Sequence, residues 1–65
     1  MNKGGYRVLF LELKPYIKFN PFLKELGINQ ANFSHFLNSN ENGFMSLENL
    51  EALYKAIVDR IRKIA

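Results

Sequence analysis

The chain has no cysteine and no tryptophan, and it has one histidine and two prolines among its 65 residues. Without cysteine, a disulfide framework, a thiolate zinc site and a thiol nucleophile are all excluded. One histidine and six scattered carboxylates are also poor material for a structural metal cage. No nucleophile or carboxylate is spaced to act together with His35. We therefore expect no catalytic residue, no metal and no cofactor, and we expect that the protein is not an enzyme.

The sequence also lacks any long apolar run. A transmembrane helix needs about 20 consecutive apolar residues, and the first residues do not form the apolar stretch of a secretory signal. We therefore expect a cytoplasmic protein that binds neither a membrane nor a small-molecule ligand. What the chain does contain is 48% hydrophobic residues, with six Phe and three Tyr. This supply suits one core, so residues 1–65 are expected to form a single domain.

Residues that break regular structure divide the chain into short segments with helical spacing. The first segment, from about Tyr6 to Lys14, is short and apolar enough to be a strand. We favour a helix, because the other segments are helical and a lone strand would have no partner. The breakers are Gly4-Gly5, Pro15, Asn20-Pro21, Gly27 and residues 38–43.

Local capping signals place the second and third helices. Asn20 is suited to the N-cap of the second helix, with Pro21 at the first helical position. Gly27 is expected to end this helix, because glycine readily adopts the left-handed conformation found at helix ends. Asn29 is suited to the N-cap of the third helix, which is expected to run to about Asn38.

The last helix is the longest and is predicted over residues 47–64, with Ser46 as its N-cap. Its apolar residues recur at alternating spacings of three and four, which is typical of a helix with one apolar side. This apolar stripe is longer than the packing of four short helices requires. Its C-terminal part is therefore either a homodimer seam, through Ile57, Ile61 and Ile64, or a surface that packs against the first segment.

Two short helices joined by three or four residues around a glycine form a helix-turn-helix unit, here residues 21–38. Three motifs follow one another in the chain: Leu26-Gly27-Ile28, Phe33-Ser34-His35-Phe36 and Ser46-Leu47-Glu48-Asn49-Leu50. With these motifs the chain resembles the phage repressor and Cro-type (lambda-repressor-like) domains over about residues 8 to 58. The resemblance implies an all-α bundle of four to five helices, and it suggests a phage or mobile-element origin.

In this family the second helix of the unit enters the major groove. The resemblance therefore implies a transcription regulator that reads double-stranded DNA in a sequence-specific manner with residues 30–38. A rotation of about 100° per residue puts Phe33, Phe36 and Leu37 on one apolar stripe and leaves an uncharged polar face opposite. The implied base contacts are Gln30, Ala31, Ser34, His35 and Asn38. The implied phosphate contacts are Asn29, Lys18 and Lys24.

Charge is distributed unevenly around this unit. Residues 26–54 contain three acidic and no basic residues, whereas residues 1–25 contain five basic and two acidic ones. Because duplex binding depends heavily on neutralised phosphates, the cations must come from outside residues 26–54. The candidate cations are Lys3, Arg7, Lys14, Lys18 and Lys24, together with the basic residues of the last helix.

An alternative function is a helix-turn-helix fold that binds a protein, as an inhibitor or adaptor, without reading bases.

Overall fold

Four α-helices carry the regular structure of residues 1–39 and 41–64, which are the residues that this computed structural model describes. No strand occurs in this part of the chain, so the expected all-α class is confirmed there. In chain order the helices are α1 (Lys3–Leu13), α2 (Asn20–Leu26), α3 (Gln30–Asn38) and α4 (Leu47–Ile64).

The first segment is a helix, as favoured over the strand, but α1 begins at Lys3 rather than at Tyr6. The side chain of Asn2 caps it, because its Oδ1 accepts a hydrogen bond from the Gly5 N–H at 2.7 Å. The interpretation of Gly4-Gly5 as a helix break was therefore wrong. Glycine costs about 1 kcal/mol relative to alanine inside a helix, and an N-cap of this type offsets a similar amount.

The N-terminus of α2 also differs from the prediction. Asn20 is its first helical residue, and Phe19 occupies the N-cap without a side-chain hydrogen bond, so the assignment of Asn20 to the cap was wrong. Pro21 still lies in the first turn, where its missing N–H costs nothing. Gly27 ends the helix as predicted, with φ 71° and ψ 25° in the left-handed region.

The caps predicted for α3 and α4 are confirmed. The Oδ1 of Asn29 accepts a hydrogen bond from the Asn32 N–H at 3.1 Å, and the Oγ of Ser46 accepts one from the Asn49 N–H at 3.1 Å. Each bond satisfies a backbone donor that a helix end would otherwise leave without a partner. With these caps, α4 has the predicted bounds, Leu47–Ile64.

Three aromatic rings join α1, the segment before α2, and α3. Phe10 lies with its ring centroid 5.7 Å from that of Phe19 and 5.9 Å from that of Phe33. The centroids of Phe19 and Phe33 are 5.1 Å apart, and all three pairs have edge-to-face geometry. Such pairs contribute about 0.5–1.5 kcal/mol each beyond their burial. The cluster fixes the end of α1 and the start of α2 beside α3.

The C-terminal end of α4 extends beyond the core. Ile57 is 3% exposed and belongs to the core cluster, whereas Ile61 is 51% exposed and Ile64 is 78% exposed. Ile57 therefore packs within the chain, in line with the second of the two alternatives for this stripe. The last turns of α4 leave the other two isoleucines at the surface.

Gly27 provides a test of this architecture, because it has the one positive φ recorded among the described residues. We expect Gly27→Ala to lower the free energy of unfolding by about 1–2 kcal/mol, since a Cβ is strained in the left-handed conformation. Gly43→Ala is the matched control. A Cβ at either glycine meets no atom within 4 Å, but Gly43 has no positive φ. Urea denaturation followed by circular dichroism measures the free energy of unfolding of both variants. Equal losses in the two variants would contradict a special role for the left-handed conformation at Gly27.

Candidate functional site

The exposed face of α3 is the candidate site. Its opposite side is anchored in the core through Phe33, Phe36 and Leu37, which are 4%, 0% and 5% exposed. These three buried residues confirm the predicted apolar stripe. The structure brings all five predicted base-contacting residues to the solvent side of this one helix, where they form a face without charged side chains. They are Gln30, Ala31, Ser34, His35 and Asn38.

Two contacts order the C-terminal half of this face. The Nδ2 of Asn38 donates a hydrogen bond to the Oγ of Ser34 at 3.3 Å. The ring of His35 stacks on Phe44, with centroids 5.1 Å apart and planes 25° apart. Phe44 is 36% exposed and comes from the loop before α4. Phe44 could not be predicted as part of this face, because helical spacing gives no information about a side chain that a loop folds back onto α3.

Of the three predicted phosphate contacts, Asn29 and Lys24 lie near the first turn of α3. The Oδ1 of Asn29 is engaged in capping α3, and its amide group remains as a donor. Lys24 lines a shallow concavity together with Gln30, so its ammonium group belongs to the surroundings of the first turn of α3. Lys18 is exposed in the segment between α1 and α2. The structure does not bring Lys18 into the concavities that border Gln30.

A further cation borders the same face. Lys14 lines a cavity of about 150 Å³ with Gln30, Ser34 and Asn38. The sequence identifies Lys14 only as a candidate cation, because no local pattern indicates that the end of α1 lies beside α3. The neighbourhood depends on the packing of Phe10, Phe19 and Phe33. Lys14 and Lys24 therefore both border the beginning of the uncharged face.

Arg7 and Lys3 do not extend from the α3 face as free cations. Their side chains donate hydrogen bonds to the end of α3 and to the loop that follows it. The Nε of Arg7 donates to the Phe36 carbonyl at 2.7 Å, and its Nη2 donates to the Glu41 carbonyl at 3.0 Å and to the Asn42 Oδ1 at 2.7 Å. Its guanidinium carbon lies 4.4 Å from the centre of the Phe36 ring. The Nζ of Lys3 donates to the Asn42 carbonyl at 3.0 Å.

Among the described residues, Tyr6 has a clearly shifted pKa. Burial, and after it the charges of Glu51 and Tyr54, raises the pKa of Tyr6 above its ordinary 10.0, because each disfavours the phenolate form. In residues 1–39 and 41–64, no three His, Asp or Glu side chains converge to hold a metal ion. Nor does any helix in those residues combine the length and apolar character needed to cross a bilayer.

Comparisons of the chain with family models, with curated proteins and with solved structures gave no significant match. The function must therefore be inferred from the chain's own surface. That surface consists of a rigidly anchored helix with amide, hydroxyl and imidazole groups outward and with cations at its edges.

Arg7 is the residue through which α1 supports the C-terminal end of this helix. We expect Arg7→Met to lower the free energy of unfolding by about 1–3 kcal/mol, because three hydrogen bonds and the contact with the Phe36 ring are lost. The matched control is Arg62→Met at the exposed end of α4, which should change stability by at most about 0.5 kcal/mol. Urea denaturation measures both. Equal stability of the two variants would show that the hydrogen bonds of Arg7 do not stabilise the end of α3.

Proposed function

We propose that α2, the turn around Gly27 and α3 act as a helix-turn-helix unit, and that the protein is a sequence-specific regulator of transcription. In this proposal α3 lies in the major groove of double-stranded DNA. The observation that carries it is the exposed, uncharged polar face of α3, which is anchored by three buried residues and bordered by Lys14 and Lys24.

The side chains on this face match the chemistry of base edges. Gln30 opens α3, and the N-terminal residues of a recognition helix are those that meet the bases. Its carboxamide can bond adenine N6 and N7 in bidentate fashion, and the methyl group of Ala31 suits the thymine methyl group. Further along, Ser34, His35 and Asn38 supply hydroxyl, imidazole and carboxamide groups that bond either bases or phosphates.

Few cations are available for the phosphate backbone. We assign phosphate contacts to Asn29, Lys18 and Lys24, as the sequence suggested, and add Lys14 because it borders the face. Each phosphate neutralised on B-DNA contributes a slope of about −0.9 to the dependence of log affinity on log salt. With three lysines, the proposed complex should show a salt slope of about −2.7 at the steepest.

A second candidate function is protein binding by the same face. The partly exposed Phe44 stacked on His35 supports it, because aromatic side chains are enriched where proteins bind each other. The absence of Lys and Arg from residues 26–54 also suits a protein partner better than a polyanion. Binding of duplex DNA by the protein distinguishes the two functions, because the protein-binding function does not require it.

We also propose that the protein pairs weakly with a second copy through α4. Leu47, Tyr54 and Ile61 are spaced seven residues apart on one side of this helix and are 40%, 38% and 51% exposed. Acidic Glu48 lies in the first turn of α4. The last turn carries basic residues, so an antiparallel copy would bring opposite charges together. Three half-exposed side chains make a small interface, and small interfaces are transient.

The base-reading role is tested with Gln30→Ala. We expect this variant to lose about 1–3 kcal/mol of binding free energy against the preferred site and to relax the preference at one base position. The measurement is a selection of the preferred duplex followed by fluorescence anisotropy on single-base variants of it.

Two lysine variants serve as controls in the same assay. Lys24→Ala should weaken all duplexes alike and make the salt slope shallower by about 1. Lys55→Ala should do neither, because Lys55 lies on α4 beside Tyr54 and Val58. If Gln30→Ala binds every duplex as the unmodified protein does, base reading by α3 is wrong. If no duplex binds at low salt, protein binding becomes the leading function.

Pairing through α4 is tested by sedimentation velocity at increasing concentration. The unmodified protein of 7.6 kDa should shift towards twice this mass in the millimolar range, as expected for a small interface. Ile61→Gln should abolish the shift, since it removes the most exposed residue of the row. Val8→Gln is the matched control, because Val8 is 58% exposed on α1. An identical loss in both variants would contradict pairing through α4.

A further inference from the structure

We propose that Phe44 is a positioning residue for His35. It holds the imidazole ring in one orientation on the exposed face of α3, and it thereby sets the base preference at the position that His35 reads. The effect on base preference rests on the proposed DNA binding, whereas the restraint on the ring does not. No local sequence pattern indicates this role, because Phe44 lies in the loop beyond the end of α3.

The two rings are in direct contact. Their centroids are 5.1 Å apart and their planes are inclined by 25°, which is a stacked geometry within the range of attractive aromatic pairs. An exposed side chain without such a contact changes rotamer within picoseconds to nanoseconds. Phe44 therefore covers one face of an exposed imidazole that would otherwise turn freely in solvent.

The loop that carries Phe44 is fastened on both sides of this residue. On the N-terminal side, the Nη2 of Arg7 donates hydrogen bonds to the Glu41 carbonyl at 3.0 Å and to the Asn42 Oδ1 at 2.7 Å. On the C-terminal side, Met45 is 2% exposed and belongs to the hydrophobic core. Phe44 is thus held by its neighbours in the chain, and not only by the ring on which it stacks.

The same loop fixes the backbone of His35. The Oγ of Ser39 donates a hydrogen bond to the His35 carbonyl at 2.7 Å, and the Ser39 N–H donates to the same carbonyl at 3.0 Å. The Glu41 N–H in turn donates to the Ser39 Oγ at 3.3 Å. Because both the backbone and the ring of His35 are restrained, few orientations of the imidazole remain.

His35 and Phe44 occupy the edge of the α3 face that lies away from Lys14. Ser34 and Asn38 line the cavity beside Lys14, and His35 follows Ser34 by a rotation of about 100° around the helix axis. In the proposed complex, discrimination at this edge therefore depends on the direction in which the imidazole nitrogens point.

A ring held in one orientation discriminates between bases better than a mobile ring. A neutral imidazole has one donor and one acceptor nitrogen, and each base pair presents a distinct pattern of donors and acceptors in the major groove. A fixed ring suits one pattern, whereas a freely turning ring adapts to several. Loss of Phe44 should therefore relax the preference at one base position, whereas loss of a phosphate contact weakens all sequences alike.

The restraint on the ring is tested in the free protein by NMR spectroscopy. His35 is the one histidine of the chain, so its ring signals are identified directly. We expect nuclear Overhauser effects between the two rings, and a ring-current displacement of the imidazole signals that disappears in Phe44→Leu. Phe44→Tyr is the matched control, because it keeps a ring at the same position and should keep the displacement. Identical imidazole signals in the unmodified protein and in Phe44→Leu would overturn the proposal.

Base preference is tested by fluorescence anisotropy on the duplex selected for the unmodified protein and on its single-base variants. We expect Phe44→Leu to lower the preference at one base position about fivefold, which is part of the discrimination that one base contact gives. Affinity for unrelated duplexes and the salt slope should not change. His35→Ala should relax the same position, and the double variant should lose no more than His35→Ala does, because the two residues act through one contact.

The outcomes separate this role from the proposed function. If DNA binds and Phe44→Leu keeps the full preference, the role of Phe44 is wrong and DNA binding stands. An equal weakening of every duplex by Phe44→Leu would also overturn the role, because it would indicate a purely structural contribution. If no duplex binds the unmodified protein, the proposed function and the role of Phe44 in base preference both fail, and the ring signals still decide whether Phe44 holds His35.

Discussion

The contact among Phe10, Phe19 and Phe33 is the constraint on which the arrangement of the exposed surface depends. One ring comes from α1, one from the residue before α2, and one from the buried side of α3. Fixing the three rings brings the end of α1 and the start of α2 to one edge of α3. The polar groups of the candidate site are thus assembled by an apolar contact that none of them takes part in.

Most of the secondary structure could be predicted from the sequence, because helix caps are local. Asn29 and Ser46 each bond a backbone N–H three residues ahead, and both were recognisable as caps from residue type and position. The errors also have local causes. The cap at Asn2 offset part of the cost of the two glycines that follow it, and the first turn of α2 formed without a side-chain cap at Phe19.

The candidate site was only partly predictable. A helix that buries Phe33 and Phe36 must expose the positions between them, so the outward face of α3 followed from its period. The neighbours of that face did not follow from the period. Lys14 arrives there through the aromatic cluster, and Phe44 through a loop. Arg7 was one of several candidate cations, and its role could not be predicted, because the carbonyls that it bonds lie far along the chain and carry no recognisable pattern.

The lack of charge on α3 has a consequence for recognition. Non-specific affinity for DNA comes almost entirely from phosphate neutralisation, whereas discrimination comes from contacts to base edges. In the proposed complex, a face of amides, hydroxyl and imidazole with cations only at its edges would give weak non-specific binding. Such a protein would spend little time on unrelated sequences, and its occupancy would depend on a site that engages Gln30 and its neighbours.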